Sequence, residues 1–335
     1  MRGRSSRPRP IRLVGFLVLA LALGAGLGCK DPVEVGALAD AGAKTGGSLG
    51  DYYRSLADEL ETTAELETFL DSLRGIDSDG TAQEQYEQQI AALGRRADLA
   101  DALTAAYTSL GQLSGSSAPA DAETSATALA RSVESLPSLA DSGVDVSSLF
   151  GSVAGDLVRA VQSRQLARAN LAMRDVVAKV VELVEREMPI YEGIVEEQGN
   201  KVGAVAETLI TENVLDPQPL LDQVARWTGL PLAAGAPVSE DFRTTLRQAL
   251  VELGLARTWR KARLSALAGR SIGTALDSLV LQHEAIAQRR GLDLAQVSSA
   301  LDRAGVYLDE VEAIAQEERA ARTGGGGATQ TGGGT

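Results

Sequence analysis

The fold class is decided by residues 176–184, which read VVAKVVELV. As a helix this stretch is apolar on nearly every side except at Lys179 and Glu182, which predicts a helix buried in the core of a bundle. It lies within residues 147–187, which contain no proline and whose 41 residues would form a helix about 60 Å long. The next proline, Pro189, is predicted to kink or end that helix.

The composition favours a helical protein and excludes several chemistries. Of the 335 residues, 44% are hydrophobic but only 4% are aromatic. Abundant Ala and Leu favour helices. One His and one Cys are too few for a Cys/His zinc site, an intrachain disulfide or a c-type haem motif. We therefore expect no resident cofactor or metal.

Proline and glycine positions divide the rest of the chain into further helices. The first helix is predicted to begin near Ser48 and to stop at Gly75, with apolar residues at steps of three and four. Ser271 and Asp293 are predicted to cap two later helices. The other predicted helices cover residues 82–113, 121–135, 190–215, 240–268, 271–290 and 294–322.

These elements predict an all-α fold, an elongated bundle of long antiparallel helices with a disordered N-terminal tether and a disordered tail. The tether is rich in Gly and Ala, and the tail reads TGGGGATQTGGGT. The predicted divisions are an N-terminal targeting segment at 1–28, a flexible tether at 29–48, a long-helix bundle at 49–215, a proline-rich junction at 216–238, C-terminal helices at 239–322 that pack on the same bundle or form a subdomain, and the tail at 323–335.

The N-terminus has the composition of an export signal. Residues 1–12 carry five Arg and no acidic residue, and an apolar stretch follows over residues 13–28. As a helix, those sixteen residues would reach about 24 Å, which is short of the ~30 Å hydrocarbon core. The length therefore disfavours a permanent transmembrane helix.

The residues Gly26-Leu27-Gly28-Cys29 resemble the lipobox of bacterial lipoproteins, in which a signal peptidase cuts before a Cys that becomes diacylated. The resemblance covers about the first 30 residues. It implies that Cys29 carries lipid and that the protein is exported and anchored to the bacterial cell envelope. By resemblance to Gram-negative lipoproteins, Lys30 favours the outer membrane. The alternative is an ordinary secretory signal cleaved near Ala25, which would leave Cys29 as a free thiol.

The charge balance bears on partners. Removal of residues 1–28 would leave 27 Lys and Arg against 45 Asp and Glu. Such an acidic surface is repelled by phosphate backbones and by anionic lipid headgroups. We therefore expect no nucleic-acid partner, and we expect membrane attachment to come from the acyl chains on Cys29.

Four short motifs occur in known kinds of site, and we favour a structural role for each. Ser48 lies in a Gly-x-Ser-x-Gly pattern, but no strand precedes it, so a helix-capping role is preferred. Asp77 and Asp79 suggest a calcium loop, but the surrounding positions lack the required oxygen ligands. Glu134 and the following Ser resemble the Glu-Ser pair of lytic transglycosylases over two residues only. His283 stands in an apolar helix without a catalytic motif.

One stretch reverses the acidic character of the chain. Residues 240–270 carry seven Lys and Arg against three Asp and Glu. Arg side chains beside a Trp can bind an acidic partner or an anionic glycan by forked hydrogen bonds and stacking. The alternative is that the cations pair with neighbouring acidic helices while the Trp fills the core. The predicted partner contact consists of Arg257, Trp259, Arg260, Lys261 and Arg263.

The expected function is that of a membrane-anchored envelope lipoprotein acting as a non-enzymatic interaction or scaffold protein. Its long helices would hold an envelope protein partner at a set distance from the membrane. The first alternative is a helical-bundle binding module for an apolar small molecule or lipid, held in a pocket between helices. The second alternative is a cell-wall enzyme that works through carboxylates alone.

Overall fold

Seven α-helices account for the regular structure of the residues that the computed structural model describes, which are 32–76, 80–114, 119–136, 150, 152–162, 165–212 and 240–324. In chain order they are α1 Pro32–Arg74, α2 Thr81–Ser114, α3 Pro119–Glu134, α4 Val153–Gln162, α5 Leu166–Thr211, α6 Glu240–Ala287 and α7 Ala295–Gly324. The prediction of an all-α fold is confirmed.

The long helices run alternately up and down an elongated bundle. Gly42 of α1 lies against Tyr107 of α2, whereas Gly50 lies against Asp101, so the two helices are antiparallel. In the same way, α6 passes α5 in the opposite direction and ends where His283 meets Asn170. The helices α1, α5 and α6 have 43, 46 and 48 residues, which corresponds to lengths of about 65 to 72 Å.

The stretch at residues 176–184 lies where the sequence predicts it. The side chains of Val176, Val177, Val180, Leu183 and Val184 are buried in the main apolar core. The two charged residues in this stretch, Lys179 and Glu182, sit at the edge of the core and pair with each other at 2.9 Å. Helix α5 packs mainly against α6, and burial of these apolar side chains stabilises that packing.

The predicted flexible tether at 29–48 is wrong from Pro32 onward, because α1 begins there. The first turns of α1 are packed as tightly as the rest of the core, with Val35, Leu38 and Ala39 at most 1% exposed. Proline suits the first turn of a helix, where its missing N–H has no helical partner in any case. Residues 1–31, which include the predicted signal peptide and Cys29, lie outside the described residues.

Glycines that resemble a linker in sequence serve a packing role in α1. Gly42, Gly46 and Gly50 recur every four residues and face α2. A Cβ atom at Gly42 would lie 2.2 Å from the Tyr107 ring, and one at Gly46 would lie 2.5 Å from the Thr104 hydroxyl. The absence of side chains therefore lets α2 approach closely, and the cost in helix propensity is offset by the contact.

The predicted single helix over residues 147–187 is interrupted in its middle, and its second part extends beyond the predicted end. The chain breaks between α4 and α5, because α4 reverses direction and packs against α5, with Leu157, Val161 and Met173 lining the same small cavity. At the other end, α5 continues through Pro189 to Thr211. Pro189 is exposed, so the carbonyl that loses its helical partner can face solvent.

A predicted break in the last third of the chain is absent. Helix α6 runs without interruption through Gly269 and Ser271, so the predicted cap at Ser271 is wrong. Gly269 allows close approach, since a Cβ there would lie 2.7 Å from the Tyr52 hydroxyl. The core residues of α6 belong to the same apolar cluster as those of α1 and α5. The predicted junction at 216–238 lies outside the described residues.

Two predicted helix ends are confirmed by their hydrogen bonds. Gly75 has a φ of +65°, and the N–H groups of Gly75 and Ile76 bond to the carbonyls of Ser72 and Asp71, as in a Schellman motif. At the start of α7, the carboxylate of Asp293 accepts a hydrogen bond from a backbone N–H at 3.1 Å. Most of the predicted tail lies outside the described residues, since α7 ends at Gly324.

The glycine contacts in α1 predict opposite effects for neighbouring substitutions. Gly46→Ala should destabilise the protein by about 1–3 kcal/mol, because its Cβ would meet Thr104 and the Ala100 carbonyl at 2.5 to 3.1 Å. Gly47→Ala should stabilise it by about 0.4–1 kcal/mol, since it has open space and gains helix propensity. Urea unfolding of both variants measures the difference. Equal effects would contradict close packing of this part of α1.

Candidate functional site

The predicted basic contact surface is largely used within the bundle. Arg257 pairs with Glu317 of α7, and Arg260 pairs with Glu310 of the same helix. These pairs are solvent-exposed, so each contributes little to stability. Both of them join α6 to α7. The cation–carboxylate pairing that the sequence offered as an alternative is therefore present.

The remaining three residues of that surface differ in exposure. Lys261 is buried and pairs with Glu59 of α1 at 2.8 Å. Trp259 is 40% exposed and lies over Gly199 of α5 rather than filling the core. Arg263 is exposed, and no ion pair to it occurs among the described residues. The partner contact stays a prediction, and Lys261 is its one buried member.

A buried charge pair joins α2 to α5 halfway along the bundle. Arg96 and Glu187 are both fully buried. The Arg96 Nε donates to the Glu187 carboxylate at 2.7 Å, and its two terminal nitrogens donate to that carboxylate and to the Ala92 carbonyl. The Tyr191 hydroxyl donates to the same carboxylate. Burial raises the pKa of Tyr191 well above its usual value, so the phenol keeps the proton that it donates.

The sequence analysis did not predict this charge pair, although both residues stand at apolar positions of a helical repeat. Arg96 lies three residues after Leu93 and seven before Leu103, on the predicted apolar face of its helix. Glu187 likewise lies four residues from both Leu183 and Tyr191. A charged residue at an apolar position of a helical repeat predicts a buried partner of opposite charge.

Loss of one member of this pair should be costly. Glu187→Gln leaves the Arg96 charge buried without its counterion, and we expect a loss of about 3–5 kcal/mol in the free energy of unfolding. The matched control is Asp101→Asn, which weakens the exposed pair of Asp101 with Arg54 and should cost under about 1 kcal/mol. Urea unfolding compares them. Similar losses for the two variants would contradict the buried pair.

A second buried polar contact centres on His283, the single histidine. Its Nδ1 lies 2.8 Å from the Asn170 side-chain oxygen, and its Nε2 lies 2.8 Å from the Tyr107 hydroxyl. The Asn170 amide nitrogen donates to the His283 carbonyl, so its side-chain oxygen must accept from Nδ1. Burial, with Arg174 nearby, lowers the pKa of His283 to about 3. The ring is therefore neutral near pH 7, and its Nε2 accepts the Tyr107 proton.

This depressed pKa predicts a pH dependence of stability. Between about pH 6.5 and 3 the unfolded state binds a proton at His283 that the folded state does not, so stability falls by about 1.4 kcal/mol per pH unit as pH falls. We expect the stability advantage of wild type over His283→Gln to shrink by about 2 kcal/mol between pH 7 and pH 5. Parallel urea titrations measure it. A constant difference would show that His283 titrates normally.

An open polar groove runs between α1 and α7. Its two overlapping parts have volumes of about 300 Å³ and 370 Å³ and share Ser55, Asp58 and Glu312. Among the groups that line it, the cations are Arg54 and Lys261, which pair with Asp101 and Glu59. The carboxylates are Asp51, Asp58, Glu59, Glu61, Glu65, Asp309 and Glu312. The groove is therefore strongly acidic.

The other sequence motifs form no site in the described structure. Ser48 lies inside α1, so its predicted helix-capping role is wrong, and it is not at a strand–helix turn either. Glu134 is exposed at the end of α3, whereas Asp77 and Asp79 lie outside the described residues. Within the described ranges, no group of three or more His, Cys, Asp or Glu residues could hold a metal ion. The apolar cavity beside Met173 has a volume of about 10 Å³.

Comparisons with known proteins add no assignment. No protein-family model, curated protein or solved structure matches the chain. Across the part of the chain that the structure describes, none of the helices has a stretch both long and apolar enough to cross a membrane.

Proposed function

We propose that the protein is an exported lipoprotein, held to the bacterial cell envelope by acyl chains on Cys29, and that it acts as a non-enzymatic scaffold. Its bundle presents a surface for an envelope protein partner at a set distance from the membrane. The outer membrane is the proposed site of attachment, in accordance with Lys30 after the lipobox-like residues.

The start of α1 carries this proposal. The helix begins at Pro32, only three residues after Cys29, and its first turns are buried in the bundle. Three residues span at most about 10 Å, so lipid on Cys29 would hold one end of the bundle close to the membrane. The 43 residues of α1 then extend about 65 Å to the opposite end. A long helix that begins next to the lipid anchor is suited to hold a partner at a fixed distance from the membrane.

The two alternatives have less support in the described residues. A pocket for a lipid or a drug-sized ligand occupies about 300–1,000 Å³, whereas the apolar cavity beside Met173 measures about 10 Å³. For a cell-wall enzyme, a general acid requires a desolvated carboxyl group, but Glu134 is exposed. The scaffold function is the one that the geometry supports best.

Processing of the chain tests the anchor. We expect the wild-type protein, expressed in a bacterium that processes lipoproteins, to lose residues 1–28, gain acyl mass on Cys29 and partition into detergent. Cys29→Ala should do none of these, because it lacks the thiol that accepts the lipid. Intact-mass spectrometry and detergent partitioning measure both proteins. Soluble, unacylated wild-type protein would overturn the proposal.

A distance measurement tests the spacing. A donor dye on Leu73→Cys, near the far end of α1, should transfer little energy to acceptor dyes in the membrane, because about 65 Å separates them. The control inserts twelve Gly and Ser residues after Lys30, which adds a flexible tether of roughly 20 Å and should broaden the distances. An unchanged distribution would show that the start of α1 does not orient the bundle.

A further inference from the structure

One face of α1 remains open to solvent along the C-terminal half of the helix. The positions 51, 55, 58, 62, 65, 69 and 73 follow steps of three and four and therefore share this face. Residues 51–65 of this face form one wall of the acidic groove. Its C-terminal end carries two large apolar side chains, Phe69 and Leu73, which are 42% and 45% exposed. Below we name this surface the open face of α1.

Helix α7 packs mainly on α6 and makes few contacts with α1. A small apolar cluster of Leu264, Val311 and Ile314, supported by Tyr307, joins α7 to α6 separately from the main core. The exposed pairs of Arg257 and Arg260 strengthen the same contact. Helix α7 is therefore bound mainly to α6, and the space beside α1 stays open.

The charge of the groove defines what can enter it. Seven carboxylates line it against two cations. Arg54 pairs with Asp51 and Asp101, and Lys261 pairs with Glu59, so five of the seven carboxylates exceed the cations in the groove. A ligand that lies in the groove must bring positive charge. A ligand that continues along the same face must also cover Phe69 and Leu73, because burial of exposed apolar surface is the favourable term at an interface.

We propose that the open face of α1 docks a helix of the envelope partner that is basic over about four turns and apolar at one end, an inference that rests on the scaffold function. From Asp51 to Leu73 the face is about 33 Å long, which matches a helix of roughly six turns. Lys and Arg side chains of the partner lie over Asp58 and Glu65, and its apolar residues cover Phe69 and Leu73. Charge complementarity along the groove and apolar contact at its end hold the helix.

A designed peptide tests the docking. The probe is a fluorescein-labelled 22-residue helix with Lys over four turns of one face and Leu over the adjoining two turns of that face, and its binding to the full chain is followed by fluorescence anisotropy. A peptide with Glu in place of Lys is the charge control, and a peptide with the same composition and scattered Leu is the pattern control. We expect only the Lys peptide with Leu at one end to bind, with affinity that falls as salt rises.

Variants of the chain locate the binding. Phe69→Ser with Leu73→Ser should weaken binding at least about tenfold, and Asp58→Asn with Glu65→Gln should weaken it several-fold at low salt. The matched controls are the exposed residues of other faces, Leu281→Ser and Glu185→Gln with Glu196→Gln, which should bind as wild type does. Circular dichroism confirms that each variant is folded.

Several results would overturn the proposal. Failure of the Lys peptide to bind, or equal weakening by the control variants, excludes docking at this face. Sedimentation that shows a dimer of this chain broken by the Phe69 and Leu73 variant would make the face a self-contact. Binding to neutral lipid vesicles in place of the peptide would make it a membrane contact. None of these results depends on Cys29 acylation, so they leave the anchor test intact.

Discussion

The buried pair of Arg96 and Glu187 constrains the arrangement of the bundle more than any apolar contact does. Apolar faces tolerate sliding of one helix along another, because many offsets bury similar area. A charge pair does not, since a shift of one turn would leave two unpaired charges in the core at a cost of about 3–5 kcal/mol. The offset of α2 relative to α5 follows from this contact, and Tyr191 supports it by donating to the same carboxylate.

Two further buried polar contacts lie at other positions along the length of the bundle. His283 joins α6 to Asn170 of α5 and to α2 near one end, and Lys261 joins α6 to Glu59 of α1 nearer the other. The pair of Arg96 and Glu187 lies between these two contacts. Each of α1, α2, α5 and α6 therefore has at least one buried polar partner in another of these helices. Long helices matched at three levels behave as one stiff element, which is the property that a spacer requires.

The candidate sites show where sequence reasoning succeeds and where it ends. The sequence identifies the basic stretch of α6, but only the structure shows that Arg257 and Arg260 pair with α7 and that Lys261 is buried. Such pairing depends on which helix lies alongside, and composition does not encode that. The acidic groove was not predicted, because it forms between the first and last helices of the described chain. Its carboxylates lie on two separate segments that the sequence does not relate.

The sequence by itself determined the all-α class, the burial of residues 176–184 and the helix end at Gly75, because these follow from periodicity and from backbone chemistry within a few residues. Only the tertiary structure decided the outcome at other glycines and prolines. Helix α1 continues through Gly46 because α2 occupies the space that a side chain there would fill. Pro189 is tolerated because it lies on a solvent-exposed face of α5. The physical reason is the same in both cases. A helix breaker costs a few kcal/mol at most, and packing against a neighbouring helix can exceed that cost.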